Sequence, residues 1–301
     1  MGEAPGPVAG ESVASRASQR ATSAAPTAAQ VVSLRALLDP LVEAGVSPAD
    51  LANDPIRFVR RYGKAPDQEV AGAVSACLAF GRVSLFGPVL TASFAVADAH
   101  GGPAAFALAL ARGEVPGRPL TGLYYRWLKE ADLVALFATF GRALAEHGSL
   151  AAIFPPGADS LAHGIDALRR CLPPDASRAL RASFPHPRDG SACKRWCMFL
   201  RWMVRTGAPD LGLWSHLQPA DLVIPLDTHV FRVAGFLGLR TRRAPDWRAA
   251  EEITAGLRAL HPPDPLRYDF ALAHLGISGR CRGHRDEVVC PACPLAPGCR
   301  A

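Results

Sequence analysis

The chain lacks long apolar runs, and this shortage limits the classes of protein to which it can belong. No apolar run approaches the ~18 residues that a membrane-spanning helix needs, so we predict no membrane partner. Residues 1–30 are rich in Ala, Ser, Pro and Gly and contain few large apolar side chains, so we expect a disordered tail there. Because this tail has no apolar signal-peptide core, we expect a cytoplasmic protein.

Alternating strand patterns are also scarce, which favours an all-α fold class. We expect a helical domain at residues 31–280, followed by a short loop at residues 281–301. The predicted helices include Val31–Leu38, which should stop before Pro40, and Thr121–Lys129, Ser191–Arg205, Thr228–Phe236 and Trp247–Leu260.

Lysine is rare, since only Lys64, Lys129 and Lys194 occur among the 33 Lys and Arg residues. Arginine serves almost wherever a positive charge is used, so a retained lysine suggests a task that a guanidinium cannot perform. The net charge is +6, and the whole excess lies in residues 181–301. A basic C-terminal part favours a polyanion partner such as nucleic acid, although a solvated basic surface would give the same excess.

Four of the eight cysteines lie in the last 21 residues, with the spacing C-x8-C-x2-C-x5-C. They are Cys281, Cys290, Cys293 and Cys299. Four thiolates in one short loop can converge on a [4Fe–4S] cluster or a structural Zn²⁺. Zinc sites usually combine two close cysteine pairs and this loop has one, so we predict the cluster, with zinc as the alternative.

Asp227 follows a Pro-bounded apolar segment and precedes a predicted helix. A carboxylate in this position is expected to cap the helix, where free backbone N–H groups stabilise its charge. For a lone aspartate, capping is a sufficient role.

The segment around this aspartate resembles a signature of a known enzyme superfamily. It runs Pro225-Leu-Asp-Thr-His-Val-Phe-Arg-Val and is followed by Leu237-Gly-Leu. This is similar to the motif of the helix-hairpin-helix, endonuclease III-like DNA glycosylases, many of which end in a four-cysteine loop that holds a [4Fe–4S] cluster. The first cysteine gap is two residues longer here than in that superfamily. Residues 190–205, 210–214 and 264–270 further resemble a bacterial family of distant glycosylase relatives. The resemblance implies a two-lobed helical fold, double-stranded DNA as partner, and Asp227 as the catalytic carboxylate.

The segment before Lys194 departs from the superfamily pattern. Pro187-Arg-Asp-Gly-Ser-Ala-Cys-Lys194 stands where those enzymes have a hairpin with a Gly-x-Gly turn, and that turn is missing. The resemblance nevertheless implies that Lys194 is the nucleophile. At the start of a helix the N–H dipole disfavours an ammonium, and a neutral amine can attack C1′ of a flipped nucleotide and form a Schiff base. Asp227 would then stabilise the positive charge on the sugar. A lysine that only binds phosphate or is solvated is the alternative, and the enzyme would then be monofunctional, with Asp227 activating water.

Other side chains are candidates for binding the nucleic acid. For stacking on the flipped base we predict Trp196, Trp202 and Trp214, with Phe184 as a further candidate. Burial in the hydrophobic core is the alternative for each of them. For DNA binding we predict Arg82, Arg195, His229, Arg280, Arg282 and Arg285. Cys193 and Cys197 are interpreted as packing residues rather than ligands.

These features predict a monomeric base-excision-repair DNA glycosylase, with AP-lyase activity if Lys194 is the nucleophile, acting on a damaged base such as 8-oxoguanine. One alternative is a non-catalytic nucleic-acid-binding protein that retains the fold, for DNA or RNA. Another is an electron-transfer protein that uses the cluster.

Overall fold

The computed structural model describes residues 26–301. Within this range the chain is helical and has no β-strand, only two isolated bridges, Tyr125–Leu128 and Ser191–Asp246. The predicted all-α class is therefore confirmed. The α-helices are, in chain order, α1 (Ala28–Glu43), α2 (Pro48–Ala52), α3 (Ile56–Arg60), α4 (Ala65–Leu78), α5 (Val83–Ala99), α6 (Pro103–Arg112), α7 (Glu130–His147), α8 (Ser160–Arg170), α9 (Arg178–Arg181), α10 (Lys194–Val204), α11 (Thr228–Phe236), α12 (Trp247–Leu260) and α13 (Asp269–Ile277).

Helices α11 and α12 have the predicted bounds because each begins at a strong local cap. A side-chain oxygen of Asp227 accepts a hydrogen bond from the Val230 backbone N–H at 2.8 Å. Asp246 accepts one from the Ala249 N–H, also at 2.8 Å. These bonds satisfy N–H groups that the first turn of a helix leaves free.

Helix α1 differs from the prediction at both ends. It begins at Ala28, inside the segment predicted to be a disordered tail, after a capping box formed by Thr27 and Gln30. It also continues through Pro40 instead of stopping before it. Leu34 and Leu38 are buried against α12 and the C-terminal segment, and this packing outweighs the loss of one helical hydrogen bond at the proline. Residues 1–25 of the predicted tail lie outside the described residues.

The predicted helix Thr121–Lys129 is wrong. The chain turns there instead, and the backbones of Tyr125 and Leu128 exchange two hydrogen bonds, at 2.8 and 2.9 Å. Arg126 lies between them with a φ of 52°, in the left-handed region that helices do not contain. Tyr125 and Leu128 are buried, so contacts with the rest of the molecule fix the turn.

The helices enclose two separate hydrophobic cores. Helices α3 to α10 surround the first, and helices α1, α11, α12 and α13 surround the second. The chain crosses between them at Leu222, which lies in the first core, and Ile224, which lies in the second. It returns to the first core at Leu266 and enters the second core again at Tyr268. The second core also contains Leu295 of the C-terminal segment, so the two ends of the described chain pack together.

No single helix of residues 26–301 has the length and apolar character to cross a bilayer. Helices α5 and α6 would meet those criteria only as a pair, and they are bent by 76° relative to each other.

Candidate active-site cleft

A cleft of about 770 Å³ lies where the two cores meet. Helices α2 and α10, the first turn of α5 and the loops before α3 and α5 form one side of it, and helices α11 and α13 with the residues just before α11 form the other. The polar residues that line it are Asp50, Asn53, Asp54, Arg82, Ser84, Lys194, Arg201, Asp227, His229, Asp269, His274 and Ser278. A ligand in this cleft would therefore contact both halves of the molecule.

Lys194 and Asp227 lie together in this cleft, although 32 residues separate them in the chain. The distance from Lys194 Nζ to Asp227 Oδ2 is 3.9 Å. Lys194 is the first residue of α10, which begins three residues after the start predicted at Ser191. Asp227 is the N-cap of α11, as the sequence predicted. The Val230 N–H donates a hydrogen bond to Asp227 Oδ1, whereas Asp227 Oδ2 lies toward Lys194. The structure thus brings together the two residues predicted to be catalytic.

An unusual turn starts helix α10. Gly190 and Cys193 both adopt positive φ angles, 76° and 49°, so the turn contains two left-handed residues although it lacks the Gly-x-Gly pattern. The Cys193 thiol lies 3.4 Å from the Pro185 carbonyl and 3.3 Å from that of Ser191, which ties the turn to the preceding chain. Burial raises the pKa of the Cys193 thiol to about 12, so it is uncharged at neutral pH. Cys193 and Cys197 are both buried, in agreement with their interpretation as packing residues.

A buried ion network forms one wall of the cleft. The guanidinium of Arg201 binds the Asp210 carboxylate, with Nε to Oδ1 at 3.1 Å, and also binds the Asp269 carboxylate. Burial raises the pKa of the Asp269 carboxyl, although the charge of Arg201 opposes the shift. Arg205 extends the network to Asp264, with Nη2 to Oδ2 at 2.9 Å.

Three buried polar atoms in cleft-lining residues have no hydrogen-bond partner within residues 26–301. They are Arg201 Nη2, Asp269 Oδ1 and His274 Nε2. His274 Nδ1 lies 3.0 Å from the Phe270 carbonyl, which can only accept, so Nδ1 carries a hydrogen and Nε2 of the neutral ring is an acceptor. The His274 ring also stacks on Phe270, with the ring centroids 3.7 Å apart. A buried polar atom without a partner is costly, and all three of these atoms belong to residues that line the cleft.

Two of the predicted DNA-binding residues line the cleft. Arg82 is exposed at the start of α5, and no hydrogen bond or ion pair engages its guanidinium within the described part of the chain. His229 is half-buried and packs against Gly276 so closely that a Cβ added there would lie 2.2 Å from His229 Nδ1. Gly276 therefore provides the space that His229 occupies.

The three tryptophans predicted to bind a base are in the first core instead, which corrects that prediction. Trp196, Trp202 and Trp214 are at most 3% exposed, and none of them lines the cleft. The indole N–H of Trp196 donates to the Ser183 carbonyl, and that of Trp214 donates to the Glu69 carboxylate. Phe184, the further candidate, stacks on Trp196 in the same core. Large apolar rings are buried in the hydrophobic core when their helix packs against several others. The residue type alone does not distinguish a tryptophan of the core from one that lines a base-binding pocket.

Helix α10 presents a different set of residues to the cleft. Lys194, Met198 and Arg201 line it, and their spacing of four and three residues puts them on one face of the helix. Met198 and Arg201 were missed from the sequence. Extending the face of Lys194 by the helical period would have found both residues.

Arg195 is also held within the protein, which corrects its prediction as a DNA-binding residue. Its Nη1 donates to the Cys77 carbonyl at 2.7 Å, and its Nη2 donates to the Ala182 carbonyl at 2.9 Å. Both ends of the guanidinium are therefore engaged, and they connect the end of α4 to the end of α9.

The three arginines near the first loop cysteine are all exposed, and two of them have partners. Arg280 Nε donates to the Ser278 hydroxyl at 3.0 Å, and Arg282 Nη1 lies 2.9 Å from Asp286 Oδ2. Arg285 has no ion pair or hydrogen bond to its guanidinium among the described residues. Exposed pairs of this kind are weak, so all three remain accessible to an anionic partner.

The four cysteines of the C-terminal loop have the chemistry of a metal-binding set. All four are free and partly exposed, and the Asp286 N–H donates to Cys290 Sγ at 3.2 Å. Hydrogen bonds of this kind stabilise a thiolate that binds a metal centre. In the described range, however, no three His, Cys, Asp or Glu side chains are close enough to hold an ion together. The donors suit an iron–sulfur cluster or zinc, and the loop would have to draw them together around it.

Comparisons with known proteins identify a family but no individual relative. Neither a curated protein nor a solved structure matches the chain. Residues 54–278 match a family, and this range includes Lys194, Asp227 and all of the cleft except residues 49–53. It ends before Cys281, the first cysteine of the loop. Since the match covers well over half of the chain, the protein belongs to the family described as "protein of unknown function (DUF2400)".

Proposed function

We propose that this protein is a base-excision-repair DNA glycosylase with a two-lobed, glycosylase-like helical fold. The observation that carries the proposal is the approach of Lys194 Nζ to Asp227 Oδ2, 3.9 Å apart in a cleft between two cores. Few side-chain pairs other than an amine and a carboxylate suit attack on a sugar carbon and stabilisation of the resulting charge. The presence of two separate hydrophobic cores supports the two-lobed part of the proposal.

Asp227 is arranged to act on the sugar. Its Oδ1 accepts the Val230 N–H, which fixes the carboxylate, while Oδ2 lies toward Lys194. As the bond from C1′ to the base breaks, positive charge develops on the sugar, and a fixed carboxylate stabilises it without rearrangement. The departing base takes up the proton that the nucleophile, the Lys194 amine, loses on bonding to C1′.

Lys194 is proposed as the nucleophile. Its amine, once neutral, would form a bond to C1′ as the base leaves. The bond from C1′ to O4′ would then break, with O4′ taking up a proton from water, and the resulting Schiff base permits cleavage of the strand as an AP lyase. The lysine is the first residue of α10, and its side chain is about one-third exposed, so a substrate can reach the amine.

The flipped base would lie near Phe270 and the unpaired polar atoms. Arg201 Nη2 is a donor and Asp269 Oδ1 is an acceptor, which suits a base edge with a carbonyl next to an N–H. 8-Oxoguanine has such an edge, and so do hypoxanthine and uracil. We propose a damaged base of this kind as the substrate, with 8-oxoguanine as the first to test.

DNA would be held by the basic residues around the cleft and beside the C-terminal loop. Arg82 and His229 line the cleft, and Arg280, Arg282 and Arg285 are exposed near Cys281. Contacts of this kind go to phosphates and position the strand. We propose that Cys281, Cys290, Cys293 and Cys299 hold a [4Fe–4S] cluster, with zinc as the alternative, and that the centre shapes this basic loop.

The experiment that tests the function measures release of the damaged base. The full chain is incubated with oligonucleotides that carry 8-oxoguanine, hypoxanthine or uracil, and the free base is quantified. We expect release by the wild type and by Lys64→Gln, which changes an exposed lysine outside the cleft. We expect strong loss in Asp227→Asn and loss of strand cleavage in Lys194→Gln. DNA binding without base release on any substrate would instead favour the non-catalytic nucleic-acid-binding protein.

A further inference from the structure

An exposed aromatic surface adjoins the cleft and has no role in the proposed chemistry. We name it the aromatic ledge and define it by Phe80, Tyr124, Arg126 and Trp127. Tyr124 and Trp127 are 69% and 53% exposed, among the most exposed large hydrophobic residues of the described chain. Trp196, Trp202 and Trp214 are buried, whereas Trp127 is exposed next to a second exposed ring, Tyr124, and adjacent exposed rings make this surface a candidate for binding.

The ledge is held in place rather than loosely attached. Trp127 stacks on Phe80 with the ring centroids 4.9 Å apart and the planes 17° from parallel. The Tyr125 hydroxyl donates to the Phe80 carbonyl, and the backbones of Tyr125 and Leu128 exchange two hydrogen bonds. The turn thus presents Tyr124 and Trp127 outward while Tyr125 anchors it.

The ledge is continuous with the cleft. Phe80 lies between Ala79 and Gly81, both of which line the cleft, and Arg82 follows. A Cβ added at Gly81 would lie 2.7 Å from Arg126 Nη2, so the turn packs directly against this cleft-lining segment. A strand that leaves the cleft past Arg82 would therefore meet the ledge next.

The ledge combines flat rings with positive charge. The Arg126 guanidinium lies over the Phe80 ring, 5.6 Å from its centroid, and Arg82 and Arg126 are both exposed. Aromatic rings beside guanidinium groups are how proteins bind nucleic acid strands whose bases are unpaired, because the rings stack on bases and the charges contact phosphates. Bases within a perfect duplex already stack on both faces and offer no free ring.

We propose that the aromatic ledge stacks on an unpaired base that flanks the nucleotide in the cleft, so that the protein prefers single-stranded or bulged DNA to a perfect duplex. The proposal rests on the proposed function for the presence of DNA in the cleft. It restricts the predicted partner from double-stranded DNA in general to DNA with an unpaired nucleotide at the binding site.

The test uses the full chain and undamaged, fluorescently labelled DNA, so it does not depend on base release. Anisotropy titrations compare a single strand, a duplex with a one-nucleotide bulge and a perfect duplex of the same sequence. We expect Trp127→Ala to weaken binding to the first two about 10-fold and to change binding to the perfect duplex little. Tyr124→Ala should give a smaller loss, and Trp127→Phe should restore most of the affinity. Val32→Ala is the matched control, because Val32 is an exposed apolar residue on α1, outside the cleft and the ledge.

A second readout separates stacking from charge. Arg126→Gln should reduce the dependence of binding on salt by about one phosphate contact, whereas Trp127→Ala should leave that dependence unchanged. Equal loss on all three DNAs in Trp127→Ala, or no loss on any, would overturn the proposal. Binding of none of the three DNAs by the wild type would overturn it as well.

The outcomes for the ledge and for the proposed function can be told apart. Base release that is unaffected by Trp127→Ala, together with unchanged DNA affinity, would remove the ledge proposal and leave the glycosylase. Single-strand binding that depends on Trp127, without release of any base, would support the ledge and remove the glycosylase.

Discussion

At the scale of single residues, Asp227 combines a structural and a chemical role that can be separated by substitution. One oxygen caps α11 through the Val230 N–H, and the other lies 3.9 Å from Lys194 Nζ. An asparagine retains a side-chain oxygen that can cap the helix but has no charge. An alanine retains neither.

We therefore predict different effects for the two substitutions. Asp227→Asn should lower base release by at least about 100-fold, as loss of a charge-stabilising group does, with little change in the thermal midpoint. Asp227→Ala should in addition destabilise the protein by about 1 kcal/mol. Measurements of base release and thermal unfolding for both variants test this prediction. Equal stability of Asp227→Asn and Asp227→Ala would show that the cap formed by the side chain of Asp227 does not stabilise the protein.

The contact between His229 and Gly276 is a second test at this scale. A Cβ at position 276 would lie 2.2 Å from His229 Nδ1, far inside contact distance, so the imidazole would have to move. We predict that Gly276→Ala destabilises the protein by about 1–3 kcal/mol. His229→Ala in the same chain should recover most of this loss, which urea unfolding would measure as a double-mutant cycle.

Gly63→Ala serves as the control for this substitution, since a Cβ at position 63 would have no neighbour within 4 Å. Stability loss of the same size at both glycines would indicate a general backbone effect rather than a collision with His229.

At the scale of elements, the sequence predicted best where a local signal starts a helix. Helices α11 and α12 have the predicted bounds because Asp227 and Asp246 cap them. The segment Thr121–Lys129 was predicted as a helix and is a turn, since burial of Tyr125 and Leu128 decides its form and depends on distant parts of the chain. Local patterns carry no information about such contacts.

The same distinction applies to the site. Lys194, Asp227, Arg82 and His229 were predicted, and the cleft contains all four. Asp269 and His274 were missed because a buried polar residue is recognised only by what surrounds it after folding. Trp196 was misassigned because its residue type suits a base pocket and a core equally well.

The C-terminal loop is an element whose order should depend on its metal. Leu295 of this loop is buried in the second core, and a Cβ at Gly298 would lie 2.4 Å from a side-chain carbon of Leu37, so the loop packs against α1. We predict that anaerobically purified protein contains about four iron atoms per chain and absorbs broadly in the visible range. Cys290→Ser should abolish both signals and lower the thermal midpoint.

Cys171→Ser is the control for the loop, because Cys171 is buried in the first core. It should retain the iron. Zinc in place of iron in the purified wild type would establish the alternative metal, and the absence of both metals would remove the cofactor proposal.

At the scale of the whole molecule, buried thiols should make the fold sensitive to alkali. Burial raises the pKa of Cys77 from 9.0 to about 12, and Cys193 shifts equally far. Below pH 9 these thiols are protonated in both states and do not affect the pH dependence. Between pH 9 and about 12 the unfolded chain loses the proton and the folded chain keeps it, so stability falls as pH rises.

We predict that this loss is about 1.4 kcal/mol per pH unit for each buried thiol above pH 9. Urea unfolding between pH 9 and pH 11 should show that the free energy of unfolding declines less steeply with pH in Cys77→Ala than in the wild type. The difference between the two slopes should equal the contribution of one buried thiol. Identical slopes for the two proteins would mean that Cys77 is accessible to solvent.

The arrangement of the whole molecule also explains why the cleft residues come from distant parts of the chain. The chain passes from the first core into the second at residues 222–224 and, after a return to the first core, again at residues 266–268. Each crossing leads into a helix of the second core that lines the cleft, α11 with Asp227 and α13 with Asp269. Lys194 faces them from α10 of the first core, so relative motion of the two halves would change the distance on which the proposed chemistry depends.

The most direct test of the central claim is to trap the covalent intermediate and identify the lysine. The protein is incubated with DNA that carries a damaged base in the presence of borohydride, and the adduct is digested and mapped by mass spectrometry. With only three lysines in the chain, the assignment among them is simple. We predict an adduct on Lys194 that is lost in Lys194→Gln and retained in Lys64→Gln. An adduct on Lys64 or Lys129, or base release with no adduct at all, would contradict the claim that Lys194 attacks the sugar.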